Sequence, residues 1–171
     1  MTGKEAEEAL ERYGNMVYRL AVLKTGTSQD AEDVFQEVFL RLVQRKEAFA
    51  NEEHLKAWLL RVTLNRSNSL WKSPWRQRTV SLNEAAGQLA YRSEEEGDVL
   101  EMVLRLPPAY RTIIHLFYYE DLTLDQISGV LGISYHAAAK RLSRAREMLK
   151  LAFEEGEKSN ERFSEKIPRE G

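Results

Sequence analysis

The sequence predicts an all-α fold: two small helical domains joined by an acidic linker, the C-terminal one carrying a helix-turn-helix. Three observations predict it. Apolar residues recur at period-3.6 spacing over long stretches, and nowhere alternate as they do along a half-buried strand. Only four prolines and nine glycines interrupt the 171 residues. Composition also swings sharply near the middle. From Lys56 to Arg78 the charged residues are Lys56, Arg61, Arg66, Lys72, Arg76 and Arg78, all basic. From Ser81 to Glu101 they are Glu84, Glu94, Glu95, Glu96, Asp98 and Glu101, with Arg92 the single cation. That swing marks a boundary, giving domains at 1–78 and 98–152, a linker at 79–97 and a charged, disordered tail at 153–171.

Each element has its own signals. Ala9, Tyr13, Met16, Val17, Leu20 and Leu23 form the stripe of a first helix, Glu5 to Lys24, closed by Gly26. Thr27 or Ser28 can cap a second helix reaching about Lys46. Its apolar face is Ala31, Val34, Phe35, Val38, Phe39, Leu42 and Val43. Asp30, Glu32, Asp33 and Glu37 crowd its first turns and Arg41, Arg45 and Lys46 its last; dipole matching and an acidic docking surface both account for this. Asn51 can cap a third helix to about Trp71, burying Leu55, Trp58, Leu59 and Val62. Its end mixes cations, amides and aromatics, a combination suited to unpaired DNA, in which bases stack while cations follow phosphates. Trp71 and Trp75 serve equally well as core. Pro74 helps to stop this helix.

Beyond the linker, Val99 to Leu106 resumes an apolar pattern. A helix then starts at Pro107-Pro108 and runs to about Glu120, burying Tyr110, Ile113, Ile114 and Phe117, with His115 as a packing residue. Thr123 can cap a short helix with Leu124, Ile127, Val130 and Leu131 on one face. Gly132 supplies a left-handed stop, Ile133 fills the corner and Ser134 caps the last helix. There Ala138, Leu142, Ala145 and Leu149 face inward, while His136, Lys140, Ser143 and Arg144 face out with Arg141 on the flank. A helix, a glycine turn, a cap and a basic helix in that order point to DNA, with the N-terminal part of the second helix in the major groove. Ala137 and Ala139 are small enough to permit close approach, and Lys140, Arg141, Arg144, Arg146 and Lys150 offer cations to phosphates or guanine edges.

Other function classes fall away. The chain has no cysteine, hence no disulfide, thiol nucleophile or cysteine-zinc site, and its three histidines are scattered. No nucleophile-base pair is visible, so neither catalytic residue, metal nor cofactor is expected. The polar, acidic start from Met1 to Arg12 is not a signal peptide, and no apolar run approaches the ~20 residues of a membrane helix. A soluble cytoplasmic protein is expected. The net charge of −2 conceals the local asymmetry and does not argue against nucleic acid.

Two separated stretches resemble one family. Asp30-Ala-Glu-Asp-Val-Phe-Gln-Glu-Val-Phe-Leu-Arg-Leu42 with Ala57-Trp-Leu-Leu-Arg-Val-Thr-Leu-Asn65 resembles the second domain of bacterial RNA polymerase sigma factors. Leu106-Pro-Pro-Ala-Tyr-Arg-Thr-Ile-Ile-His-Leu116 with Leu122 to Arg146 resembles their fourth. The presence of these two domains alone resembles the extracytoplasmic-function group. The resemblance implies that Asp30, Asp33, Gln36, Glu37 and Arg41 dock on core RNA polymerase. It implies that Asn65, Arg66, Asn68, Ser69, Trp71 and Lys72 recognise and help to open the promoter element nearest the start site. Tyr135, His136, Ala139, Lys140, Arg141 and Arg144 would read the upstream element as duplex, and the acidic linker would thread the RNA exit channel. An anti-sigma partner and a free monomer are implied too. The chain departs from the family pattern at Ser69, where an acidic residue is common, and in Trp71–Arg78, where a run of arginines is diluted. His136-Ala-Ala-Ala-Lys-Arg141 moves the recognition-helix lysine by one place. Two rivals remain: a dimeric helix-turn-helix regulator that needs no polymerase, and a helical adaptor that binds only proteins.

Overall fold

A computed structural model describes residues 2–71 and 102–157, all helices and connecting turns among those residues. They fall into two compact units, one on each side of the undescribed middle segment. The linker at 79–97, Pro74, Trp75 and most of the predicted tail lie outside the described residues.

The first unit is three mutually packed helices, α1 (Gly3–Thr25), α2 (Ser28–Gln44) and α3 (Glu52–Trp71). Thr2 caps α1: its hydroxyl accepts from the Glu5 N–H at 3.1 Å, and the Glu5 carboxylate accepts from the Thr2 N–H at 2.8 Å. This reciprocal cap starts the helix two residues earlier than the apolar stripe predicts, and Thr2-Gly-Lys-Glu5 is its sequence signature. Gly26 ends α1 at φ 85, a left-handed backbone that glycine adopts without steric penalty. Thr27 caps α2 and Asn51 Oδ1 caps α3 through the His54 N–H at 2.8 Å. Leu20, Ala21, Val22, Ala31, Val34, Val38, Leu42, Leu59 and Leu60 are fully buried between the helices. At the rim Arg12 bonds Glu52 at 2.9 Å, and the Tyr13 hydroxyl donates to the same carboxylate at 2.6 Å, tying α1 to α3.

Several predicted core positions move. Val43 is 52% exposed, and Phe35 and Phe39 are half-buried, because the stripe of α2 is wider than the groove that receives it. On α3 the buried face is Leu55, Leu59, Leu60, Thr63, Leu64 and Ser67 rather than one including Val62. Thr63 can lie there because its hydroxyl donates to the Leu59 carbonyl at 2.6 Å, satisfying itself within the helix. Trp58 is half-buried: its ring packs on Phe49 at 5.6 Å, with the Arg45 guanidinium 5.5 Å from its centroid.

The second unit holds α4 (Pro108–Ile114), a π-helical turn (His115–Tyr119), α5 (Leu124–Leu131) and α6 (Tyr135–Glu157). Pro107 and Pro108 open α4 as expected. The predicted continuous helix to Glu120 instead widens after Ile114: the Glu120 N–H bonds the His115 carbonyl and the Leu122 N–H the Leu116 carbonyl, both at 3.1 Å. The widening turns His115 and Leu116 inward and leaves Tyr110 and Phe117 half-buried. His115 packs as a core residue. Its ring stacks on Tyr119 at 5.5 Å, and Nε2 stands 3.1 Å from Glu120 Oε1, an ion-pair distance without hydrogen-bond alignment. Asp121 then takes φ 54, a left-handed conformation that a short polar side chain tolerates. Arg111 donates to the Leu104 carbonyl at 3.2 Å, and burial lowers the pKa of its guanidinium.

The tail prediction is corrected at its start. α6 continues to Glu157 and Phe153 is buried, because Phe153 follows Leu149 by four residues on the inward face.

Candidate nucleic-acid interface

The helix-turn-helix is built from local signals. The Thr123 hydroxyl accepts from the Gln126 N–H at 3.1 Å while the Gln126 side chain accepts from the Thr123 N–H at 2.9 Å. Gly132 takes φ 69, and its N–H and that of Ile133 both close on the Ser128 carbonyl. Ser134 Oγ then accepts from the Ala137 N–H at 3.0 Å, opening α6. Ala138, Leu142, Ala145 and Leu149 are buried, which fixes the rotation of the helix. Tyr135, 56% exposed, and His136, Lys140 and Arg144 therefore face solvent; Ala139 and Arg141 are half-buried beside them. His136, Lys140 and Arg144 recur every four residues along one ridge, a narrow basic edge with small residues next to it.

Arg146 does not join that edge. Its Nε donates to the Tyr118 hydroxyl at 2.8 Å, and its guanidinium lies 5.2 Å from the Phe117 ring centroid. The cation offered to phosphate by the sequence thus anchors α6 to the π-helical turn instead. Spacing along α6 holds no sign of this, since Tyr118 comes from another element.

In the first unit Asn65, Asn68 and Ser69 lie exposed on α3, opposite buried Leu60, Leu64 and Ser67. Arg66 is turned aside and pairs with Glu37 of α2. The Trp71 side chain and Lys72 lie outside the described residues. On α2, Asp33, Gln36 and Arg41 are exposed, and Asp30 and Glu37 half-buried. Arg41 donates to Glu37 at 2.8 Å. Leu40, 55% exposed, and Val43 extend this face past its charges, so it is acidic at one end and apolar at the other. The sequence places Val43 in the core because it continues the helical period of Phe35 and Phe39, whereas Leu40 falls outside that stripe and carries no spacing signal of a docking face.

Tyr13 and then Arg12 hold the Glu52 carboxyl below its usual pKa, while burial, and then Glu52, raise that of the Tyr13 phenol. Among the described residues no group of three His, Cys, Asp or Glu could hold a metal ion, and no helix is long and apolar enough to cross a membrane.

Comparison with known proteins bears directly on this arrangement. The family model for Sigma-70 region 2 matches residues 9–77 and that for Sigma-70, region 4 matches 96–149, so most of α1 with α2 and α3 falls in one, and α5 with most of α6 in the other. The chain belongs to the sigma-70 family. The probable RNA polymerase sigma factor RfaY of Xanthomonas campestris pv. campestris is 34% identical over 146 residues, 77% of this chain and 36% of that protein. The ECF RNA polymerase sigma factor SigE of Mycolicibacterium smegmatis is 27% identical over 84% of this chain and 60% of that one. The chain thus spans less than two thirds of both relatives. It covers 86% of the ECF sigma factor SigW of Bacillus subtilis, at 25% identity. Among solved structures, CnrH, in complex with the cytosolic domain of CnrY, aligns at TM-score 0.68 and 22% identity over 90% of each chain. The sigma factor RpoE of Bartonella quintana, in complex with the anti-sigma factor NepR, aligns at TM-score 0.64 and 19% identity over 88% of this chain and 98% of that one. Both share the fold of this sigma factor.

Proposed function

We propose that this sigma factor binds core RNA polymerase and directs it to a particular class of promoters, assisting strand opening and supplying no chemistry of its own. The observation that carries the reading is the pairing, in one chain, of a region 2 unit and a region 4 helix-turn-helix whose basic edge is exposed. α6 reads the upstream element as duplex through Tyr135, His136, Ala139, Lys140, Arg141 and Arg144. The Asn65–Lys72 end of α3 takes up the downstream element, where opening means capturing unpaired bases. α2 docks on polymerase through Asp30, Asp33, Gln36, Glu37 and Arg41, and the exposed Leu40 and Val43 add apolar contact to the charges that steer approach. Each DNA-reading face is small, so each grips weakly; held together on polymerase, the second face acts at a raised effective concentration.

An anti-sigma partner that covers these faces belongs to the proposal, supported by the complex of RpoE with the anti-sigma factor NepR and that of CnrH with the cytosolic domain of CnrY. So does action in the cytoplasm as a monomer when free.

The test of docking is co-elution with core polymerase. Asp33→Lys reverses one exposed charge that no described side chain engages, so it should abolish co-elution while leaving the circular dichroism unchanged. Undiminished binding would contradict docking through α2. A dimeric regulator, by contrast, would bind a palindrome tightly by itself as a two-fold pair.

A further inference from the structure

Glu37 and Arg66 belong, on the reading above, to two different interfaces, yet they hold each other. Arg66 Nε reaches Glu37 Oε2, and Arg41 Nη2 takes Glu37 Oε1 at 2.8 Å. One carboxylate is thus shared between a cation on its own helix and a cation on α3. The Arg66 side chain is 31% exposed and that of Glu37 28%. The pair is neither sealed in the core nor fully solvated, so it can form and open without unfolding. Arg66 follows Asn65 by one position, about 100° further round the helix. Asn65, Asn68 and Ser69 face solvent while Arg66 is folded against α2. Its guanidinium ends a flexible stem that can swing to the Asn65–Ser69 side with the backbone fixed.

We propose that Glu37 is a latch that withholds Arg66 from DNA in the free protein, and that docking opens it. A partner that recognises the acidic end of α2 must present cations there, since like charges across an interface are strongly disfavoured. Those cations compete for the Glu37 carboxylate, and Arg66 passes to a phosphate beside Asn65 and Ser69. DNA affinity therefore stays low away from polymerase and rises on it, and by linkage DNA strengthens docking by the same factor. The opening step rests on the docking reading; the latch itself does not.

The test uses the full chain and a fluorescein-labelled mixed-sequence single-stranded oligonucleotide, read by anisotropy over a range of salt. Glu37→Ala should bind about twofold to fivefold more tightly than wild type, the range for a partly exposed ion pair. Its salt dependence should steepen by roughly 0.7 in log–log slope, one phosphate contact on a single strand. Glu32→Ala removes the same charge from the same helix away from Arg66 and should leave the slope unchanged. In an Arg66→Ala background Glu37→Ala should add nothing. A gain that survives in that background, or equal slopes for the Glu37 and Glu32 variants, overturns the latch. For the opening step, Arg66→Ala should lower DNA binding by the core-polymerase complex about twofold to fivefold; an unchanged complex overturns release. If Asp33→Lys still co-elutes with polymerase, docking and release fall together, whereas the free-chain comparison decides the latch by itself.

Discussion

Arg144 and Arg146 stand two residues apart on α6 and do different work. Arg144 is exposed on the basic edge, so Arg144→Ala should weaken upstream recognition by about 1–3 kcal/mol and relax specificity at one base pair. Arg146 bonds the Tyr118 hydroxyl. Tyr118→Phe should therefore lower stability by roughly 0.5–1.5 kcal/mol, seen in urea unfolding, and leave sequence preference intact. A selective change at one base would show that Arg146 had been reading DNA after all. The outward set on α6 was legible because burial of Ala138 and Leu142 dictates where their neighbours point. The role of Arg146 was not, since its phenol lies 28 positions away. Glu52 gives a pH prediction. Tyr13 and Arg12 depress its folded pKa, so its contribution is present above the ordinary carboxylate value near ~4.3 and is lost as pH falls through the lower folded one. The melting-temperature gap between wild type and Glu52→Gln, present at pH 7, should shrink in acid; a gap constant across that range would contradict the tie.

At the scale of elements, the helix ends were readable because their signals are local. Gly26, Thr27, Asn51, Thr123, Gly132 and Ser134 all act within four residues of themselves. Gly132→Ala meets no atom within 4 Å, so its penalty should be that of the left-handed backbone alone, about 1–2 kcal/mol, with faster amide exchange across α5. The faces of helices were harder. A period tells that a stripe exists, but its edges depend on the partner's groove, which is why Val43 lies outside and Thr63 inside. Leu60→Ala should thus cost about 2–5 kcal/mol and Val62→Ala clearly less; the reverse order would restore the stripe expected from spacing. The π-helical turn was invisible, since widening one turn leaves hydrophobic spacing almost unchanged.

For the whole molecule, the sequence signals that survive at long range are the order of the two units and the charge of their faces. The contacts that join elements inside a unit, Glu37 with Arg66 and Arg146 with Tyr118, are pairings that spacing along the chain does not reveal. On the proposed function, each DNA-reading face offers a handful of polar and basic side chains, enough for a weak grip that becomes selective when polymerase supplies the rest. Run-off transcription from a promoter pool, with core polymerase in the presence and absence of this protein, tests that dependence most directly. Defined transcripts should appear from a subset of promoters only when the protein is added, and should vanish with Asp33→Lys. Transcripts unaffected by its addition, together with tight binding of a palindrome by the protein alone, would contradict it.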